Sequence, residues 1–194
     1  MVLLVFLVPC RVCPFKIMSL DFNKNFFELF GLGAVFQIDL TRLEQAYRDI
    51  QSQVHPDKFA HLSDAERRLS MQWATQANEA YQTLRRPLDR ARYLLRLHGV
   101  DTQEETNTAM PPAFLMQQME WREAIGEATL AKDAGSLAEL DGQLRSQVAE
   151  QQRILGCLLD EDKDYLKAAG VVRELKFMER LREEVHHALE ALEA

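Results

Sequence analysis

Three cysteines are all that this chain of 194 residues holds, and their scarcity excludes a good deal. Cys10-x-x-Cys13 offers two thiolates where a structural zinc site takes four ligands, and Cys157 stands on a distant helical segment, so no metal is expected. The low count fits a reducing compartment, and a cytoplasmic location is expected. An excess of positive charge is missing as well. Residues 1–110 carry 13 Lys and Arg against 13 Asp and Glu, and residues 111–194 carry 10 against 17, which leaves a net charge of -7. A nucleic-acid binder needs a net basic face to displace counterions, so that class is set aside. Long hydrophobic runs are lacking too: Val2 to Val8 is too short to span a bilayer, and no membrane association is expected. That run also has no basic segment ahead of it and no small-residue cleavage site, which makes it a poor secretory signal. With Arg11 and Lys16 but little serine, it resembles a transit peptide only faintly. The preferred reading is an overlong gene start with Met18 as the natural initiator, so that residues 1–20 are mis-started or dispensable. No alternating strand pair, internal repeat or low-complexity tract appears.

What is present is helical periodicity, enough for an all-α fold of two modest cores. A short helix is expected over Phe26 to Leu32. Asp39 is placed to cap a helix from Leu40 to Val54, with Leu40, Leu43, Tyr47, Ile50 and Val54 along one face. Ser63-x-x-Glu66 has the form of a capping box and opens a helix whose apolar side is Leu69, Trp73, Ala77, Ala80, Tyr81 and Leu84. Two such helices joined by a short connection pack as an antiparallel hairpin. Pro87 suits a first helical turn, and Gly99 ends the helix it opens. Residues 100–112, polar and closed by Pro111-Pro112, read as a linker. Beyond it, helices over about 113–132, 136–159 and 165–192 give an antiparallel three-helix bundle.

Two features bear on function. The first is His55-Pro56-Asp57, followed by Lys58, in the bend of the hairpin. Pro56 fixes its own φ, donates no hydrogen bond and pushes His55 out of the α region, so the tripeptide is not helix. It presents an imidazole and a carboxylate from a stiff bend. The same three residues also serve as a plain helix stop, with Asp57 capping the next turn. The second feature lies on the helix from 113. With Phe114 at zero and about 100° per residue, Trp121, Ile125 and Ala128 fall within about 40° of it, whereas Leu115, Met119 and Met116 fall at about 100°, 140° and 200°. Glu120, Arg122 and Glu123 flank this second apolar face, giving the greasy centre and charged rim of a protein interface. On the last helix, Phe177 lies about 100° off the stripe Val171, Leu175, Met178, Val185 and is placed to join the same patch. A bundle helix that touches two neighbours would need a wide apolar face for packing alone.

Catalytic signals fail on geometry. Asp160-x-Asp162-x-Asp164 begins like a calcium loop, but Tyr165 stands where glycine is needed and Val171 where the bidentate glutamate belongs, so it reads as an acidic helix connection. Glu184-x-x-His187 has di-iron spacing but no second copy, and reads as a solvated helix end. His55 and Asp57 have neither a nucleophile nor a phosphate-binding glycine loop beside them, and no enzyme or cofactor is expected.

The stretch Tyr47 to Phe59, with Asn25 to Leu32 ahead and Ala77 to Leu84 behind, resembles the J domain of DnaJ-type co-chaperones. With Leu84-Arg85-Arg86-Pro87-Leu88, Arg90-Ala91, Tyr93-Leu94-Leu95, Leu97-His98-Gly99, Phe114-Leu115-Met116 and Leu175-Lys176-Phe177, residues 22–192 resemble the HscB family of iron-sulfur cluster co-chaperones. The resemblance implies a J domain over 21–99, the linker over 100–112 and a scaffold-binding bundle over 113–194. It assigns His55, Pro56 and Asp57 to stimulating the ATPase of an HscA or DnaK-type chaperone, with Arg42, Arg48 and Lys58 adding electrostatic attraction. It assigns Leu115, Met116, Met119 and Phe177, with Glu120, Arg122 and Glu123 as polar neighbours, to binding the IscU scaffold. Three departures stand out. Met119 replaces a more usual leucine, the basic residues before the bend are diluted by Glu44, Asp49 and glutamines, and one CxxC stands where some relatives carry a paired zinc module. Two alternatives remain open: a J-domain protein for another client, and a plain helical interaction protein.

Overall fold

The computed structural model describes residues 24–54, 63–107 and 109–193. Among the described residues, seven α-helices follow in chain order: α1 (Phe26–Leu29), α2 (Leu40–Val54), α3 (Asp64–Arg85), α4 (Pro87–Leu97), α5 (Pro112–Leu130), α6 (Ala134–Gly156) and α7 (Tyr165–Glu193), with a π-helical turn at Cys157–Glu161. Among the described residues there is no strand, as the periodicity requires. The expectations for residues 1–20 and for the bend at 55–58 fall outside the described residues.

The chain divides into two compact units, one of α1, α2 and α3 through Gln82, the other of Gly33–Asp39 and everything from Thr83 onward. In the first unit, α1 opens on a capping box in which Asn25 and Glu28 each accept the other's backbone N–H at 3.0 Å. That satisfies two donors a helix start leaves orphaned. The helix stops at Leu29, short of the expected Leu32. Helices α2 and α3 run antiparallel: Tyr47 stacks on Tyr81 at 4.2 Å between ring centroids, and Ser70 donates its hydroxyl to the Val54 carbonyl. Phe27, Leu43, Val54, Trp73, Ala77 and Ala80 are fully buried. Leu40, expected on that face, is 51% exposed, because a first-turn residue lies beyond the partner helix.

In the second unit α6 and α7 form the main helix pair, with α5 packed against both and α4 against α7. The expected boundary after Gly99 is therefore not where the contacts divide the chain, since α4 clusters with the C-terminal helices. A Schellman closure ends α4, with Val100 N–H on the Leu95 carbonyl at 2.9 Å and Gly99 at φ 72°, a conformation costly for residues with a Cβ. The buried stripe of α7 is Ala168, Val172, Leu175, Met178, Leu181 and Val185. Val172 takes the core position expected of Val171, which is half-buried. Helix α6 begins at Ala134, two residues before the expected start, because the Asp133 side chain caps it by accepting the Ser136 N–H at 3.0 Å.

Within the expected linker, residues 102–105 are tied down. Glu104 holds the Arg92 guanidinium in two bonds of 2.6 and 2.7 Å, Arg173 donates to the Thr102 carbonyl at 2.9 Å, and Lys176 pairs with Glu105 at 2.6 Å. Burial works to raise the Glu104 pKa, but hydrogen bonds from Arg92 and Thr102 and the charges of Arg92 and Lys176 outweigh it and hold the carboxyl below its usual range.

Candidate functional site

Two surfaces carry the residues singled out from the sequence, one in each unit. In the first unit, α2 leads to the bend and α3 leads away from it. The end of α2 is anchored by Val54, fully buried, whose carbonyl accepts the Ser70 hydroxyl. The exit is anchored by the Ser63 and Glu66 capping box: Glu66 accepts the Ser63 N–H at 2.9 Å, and Ser63 accepts the Glu66 N–H at 3.4 Å. His55, Pro56, Asp57 and Lys58 themselves lie outside the described residues.

Of the two basic residues on α2, Arg42 donates to the Gly31 carbonyl at 3.1 Å and Arg48 pairs with Glu44 one turn back. Six residues apart, they point about 120° from each other, so the helix does not gather them on one face. The Arg48 pair is exposed, at 67% and 49% for the two side chains, and its partner dilutes the attraction that Arg48 offers a distant anion.

In the second unit, α5 has the two faces its sequence implies. Trp121, Ile125 and Ala128 are buried, whereas Leu115, Met116 and Met119 are exposed at 43%, 64% and 72%. Those three side chains are spare to the bundle, which already has a core without them. Phe177 of α7 is half-buried and meets Phe114 edge-on at 6.1 Å, while Phe114 meets Trp121 in the same way at 6.3 Å. That aromatic chain explains why Phe114 is half-buried: it links the core face to the outer patch. Arg122 stands over the Phe177 ring at 5.1 Å, a cation–π contact that ties a rim charge to the apolar centre. Glu120 and Glu123 are exposed beside it.

The structure thus brings Leu115 and Phe177 together from α5 and α7, and they line one hollow of about 240 Å³ with Met110 and Gln118. Met116 and Met119 continue the apolar surface along α5 without lining that hollow. Sequence reasoning missed Met110, Gln118 and the cations Arg173, Lys176 and Arg180 of α7 that line the same hollow. The available signal was the spacing of Arg173, Lys176, Phe177 and Arg180, three and four apart on one helix.

Other candidates take structural roles. Asp160 sits in the π turn after α6, and its carboxylate accepts the N–H groups of Phe36 at 2.6 Å and Gln37 at 2.8 Å. It clamps the segment 33–39 onto the second unit, a more specific role than an acidic connection. The segment runs so close over α6 that a Cβ at Gly156 would meet the Gln37 amide at 2.8 Å. Arg90, only 7% exposed, lies over the Phe36 ring at 4.9 Å and donates to the Leu84 carbonyl. Burial pushes its pKa down to about 10, against the opposing pull of Asp160. Glu184 and His187 are exposed, and His187 pairs with Glu190 at 3.6 Å. Among the described residues no group of three or more potential ligands is placed to hold a metal ion. None of the described helices is long and apolar enough to cross a membrane.

Residues 110–186 match the family model described as the HSCB C-terminal oligomerisation domain. A co-chaperone HscB homologue of Aromatoleum aromaticum is 53% identical over 176 residues, covering 91% of this chain and 99% of its own. One of Burkholderia thailandensis is 56% identical over 171 residues, covering 88% and 97%. Among solved structures, chaperone HscB from Vibrio cholerae superposes with a TM-score of 0.77 at 37% identity, covering 87% of this chain and 99% of that one. Human co-chaperone HscB does so with a TM-score of 0.81 at 28% identity, covering 86% and 83%.

Proposed function

Because this chain belongs to the HscB family of iron-sulfur cluster co-chaperones, with an N-terminal J domain and a C-terminal helical bundle, we propose that it is a noncatalytic adaptor with two docking surfaces. Its J domain, through His55, Pro56 and Asp57 with Arg42, Arg48 and Lys58 around them, stimulates the ATPase of an HscA or DnaK-type chaperone. Its bundle, through Leu115, Met116, Met119 and Phe177 with Glu120, Arg122 and Glu123, carries the IscU-type scaffold to that chaperone. On this reading it works in the cytoplasm and needs neither a cofactor nor a membrane.

The observation that supports the bundle's role best is the exposure of Leu115, Met116 and Met119 on a helix whose opposite face is already buried. Three large apolar side chains in water are unfavourable unless a partner covers them. Methionine suits such a surface, since its unbranched thioether adapts to the partner's contour. On the chaperone side, support comes from the antiparallel pair α2 and α3, whose ends are fixed by Ser70 on Val54 and by the Ser63 and Glu66 box. Joining the two sites in one chain raises the effective concentration of scaffold at chaperone.

Chaperone ATPase turnover, measured with and without this protein and the scaffold, tests the whole reading. His55→Gln is expected to abolish stimulation and leave scaffold binding intact, and Leu115→Ala with Phe177→Ala is expected to do the opposite. Equal loss of both activities in either variant would refute the assignment of two separate surfaces.

A further inference from the structure

The proposed scaffold-binding patch does not end at its apolar residues. Leu115 and Phe177, both assigned to it, line the hollow of about 240 Å³ together with Glu104 and three cations of α7, Arg173, Lys176 and Arg180. The three cations differ in what they already hold. Arg173 donates to the Thr102 carbonyl at 2.9 Å, and Lys176 sits 2.6 Å from Glu105 and 3.5 Å from Glu104. Arg180 is exposed and makes no ion pair among the described residues. Its charge acts only weakly on Glu105, whose own hydrogen bond goes to Lys176. Three residues beyond Phe177 on the same helix, Arg180 lies on the neighbouring turn beside that ring.

We propose that Arg180 is a specificity-determining residue of the scaffold-binding surface: the hollow takes an apolar side chain of the scaffold against Leu115 and Phe177, and Arg180 takes an adjacent carboxylate. This deepens the function proposed above and rests on it. Charge complementarity carries the choice of an acidic group. Glu104 and Glu105 are satisfied by Arg92 and Lys176, so the charge left over at the hollow is positive, that of Arg173, held on the neutral Thr102 carbonyl, and that of Arg180, the one that is exposed. A guanidinium beside an apolar floor is well suited to this task, because it is weakly hydrated and grips a carboxylate through two parallel N–H bonds. Arg122, over the Phe177 ring at 5.1 Å, belongs to the other border of the patch, where Glu120 and Glu123 accompany it. The two borders thus differ in sign, which gives the surface a polarity that apolar contacts alone lack. A partner docked in reverse would set its carboxylate against Glu120 and Glu123.

The test titrates the purified scaffold protein with the full chain and its Arg180→Ala, Arg180→Glu, Arg180→Lys and Leu115→Ala variants, at low and high salt. Arg180→Glu is expected to weaken binding by about tenfold or more and Arg180→Ala by less, with Arg180→Lys between Ala and the parent chain. Binding by Arg180→Ala should also depend less on salt between about 0.05 and 0.5 M. Chaperone stimulation without scaffold, and the thermal midpoint, should be unchanged in all Arg180 variants. If Leu115→Ala weakens binding and Arg180→Glu does not, the scaffold reading stands and the role of Arg180 is refuted. Weakening that is equal in Arg180→Ala and Arg180→Glu, with the salt dependence of the parent chain, would mean lost packing and would also overturn it. If neither Leu115→Ala nor Arg180→Glu weakens binding, the scaffold reading itself fails.

Discussion

Asp160→Ala removes the acceptor of two backbone N–H groups, from Phe36 at 2.6 Å and Gln37 at 2.8 Å, and with it the negative charge that favours the buried Arg90. A hydrogen bond to a charged acceptor contributes about 1.5–3 kcal/mol when its donor is left unsatisfied. The two donors do not weigh equally. Gln37 is exposed and its N–H regains water, whereas Phe36 is only 4% exposed and its N–H is left without a partner in an apolar setting. Counting Phe36 in full and Gln37 and the Arg90 attraction in small part gives a loss of about 2–3 kcal/mol. In a chain of this size about 1 kcal/mol moves the thermal midpoint by about 2–4 °C, so a fall of about 5–10 °C is expected. Asp160→Asn keeps one acceptor oxygen and should lose about half as much. Thermal unfolding followed by circular dichroism reads the midpoint, and hydrogen exchange of the Phe36 amide reads the clamp itself. A midpoint within about 1 °C of the parent chain, with Phe36 exchange unchanged, would refute the reasoning and leave the apolar burial of the ring as what holds the segment.

Three further outcomes follow from the second unit. Met178→Ala, at a position only 1% exposed, should cost about 2–4 kcal/mol by lost burial and a cavity, read as a lower urea midpoint with an unchanged slope. Burial raises the Glu179 pKa, with Asp89 and Glu183 adding to it and Arg92 and Arg182 opposing, so its ionisation disfavours the folded state as pH rises from the ordinary glutamate range through the raised folded value. Glu179→Gln should therefore raise the thermal midpoint at neutral pH and leave it nearly unchanged near pH 4, and a gain of equal size at both would contradict the assignment. Glu104 has the opposite sign: its folded pKa is lowered, so its contribution is present above the ordinary range and lost as pH falls through the lowered value. Glu104→Gln should lower stability at neutral pH and converge with the parent chain in acid, which a midpoint series against pH will show.

The sequence was most informative where structure is local. The bounds of α2, Leu40 to Val54, follow from periodicity and from Pro56 just beyond, and the box at Ser63 and Glu66 forms between residues three apart. The split of α5 into a buried face of Trp121, Ile125 and Ala128 and an exposed one of Leu115, Met116 and Met119 also follows from rotation about a single helix. Phe177 shows where such reasoning thins out. Its angular offset placed it away from the core of α7, but its approach to Leu115 depends on how α5 and α7 lie together, which neither helix encodes alone. Arg180 went unnoticed for the same reason, since one arginine on a charged helix says nothing until its neighbours prove to have partners already.

By itself, then, the order of residues determined the helices, their caps and their amphipathic faces, because each depends on groups within a turn or two of one another. Only the packed chain decided which helix α4 serves, that Val172 and not Val171 is interior, and that Asp160 holds Phe36 across 124 positions of sequence. Contacts of that span follow from how whole helices exclude water together, and a carboxylate's partner is then whichever unsatisfied N–H the packing delivers to it.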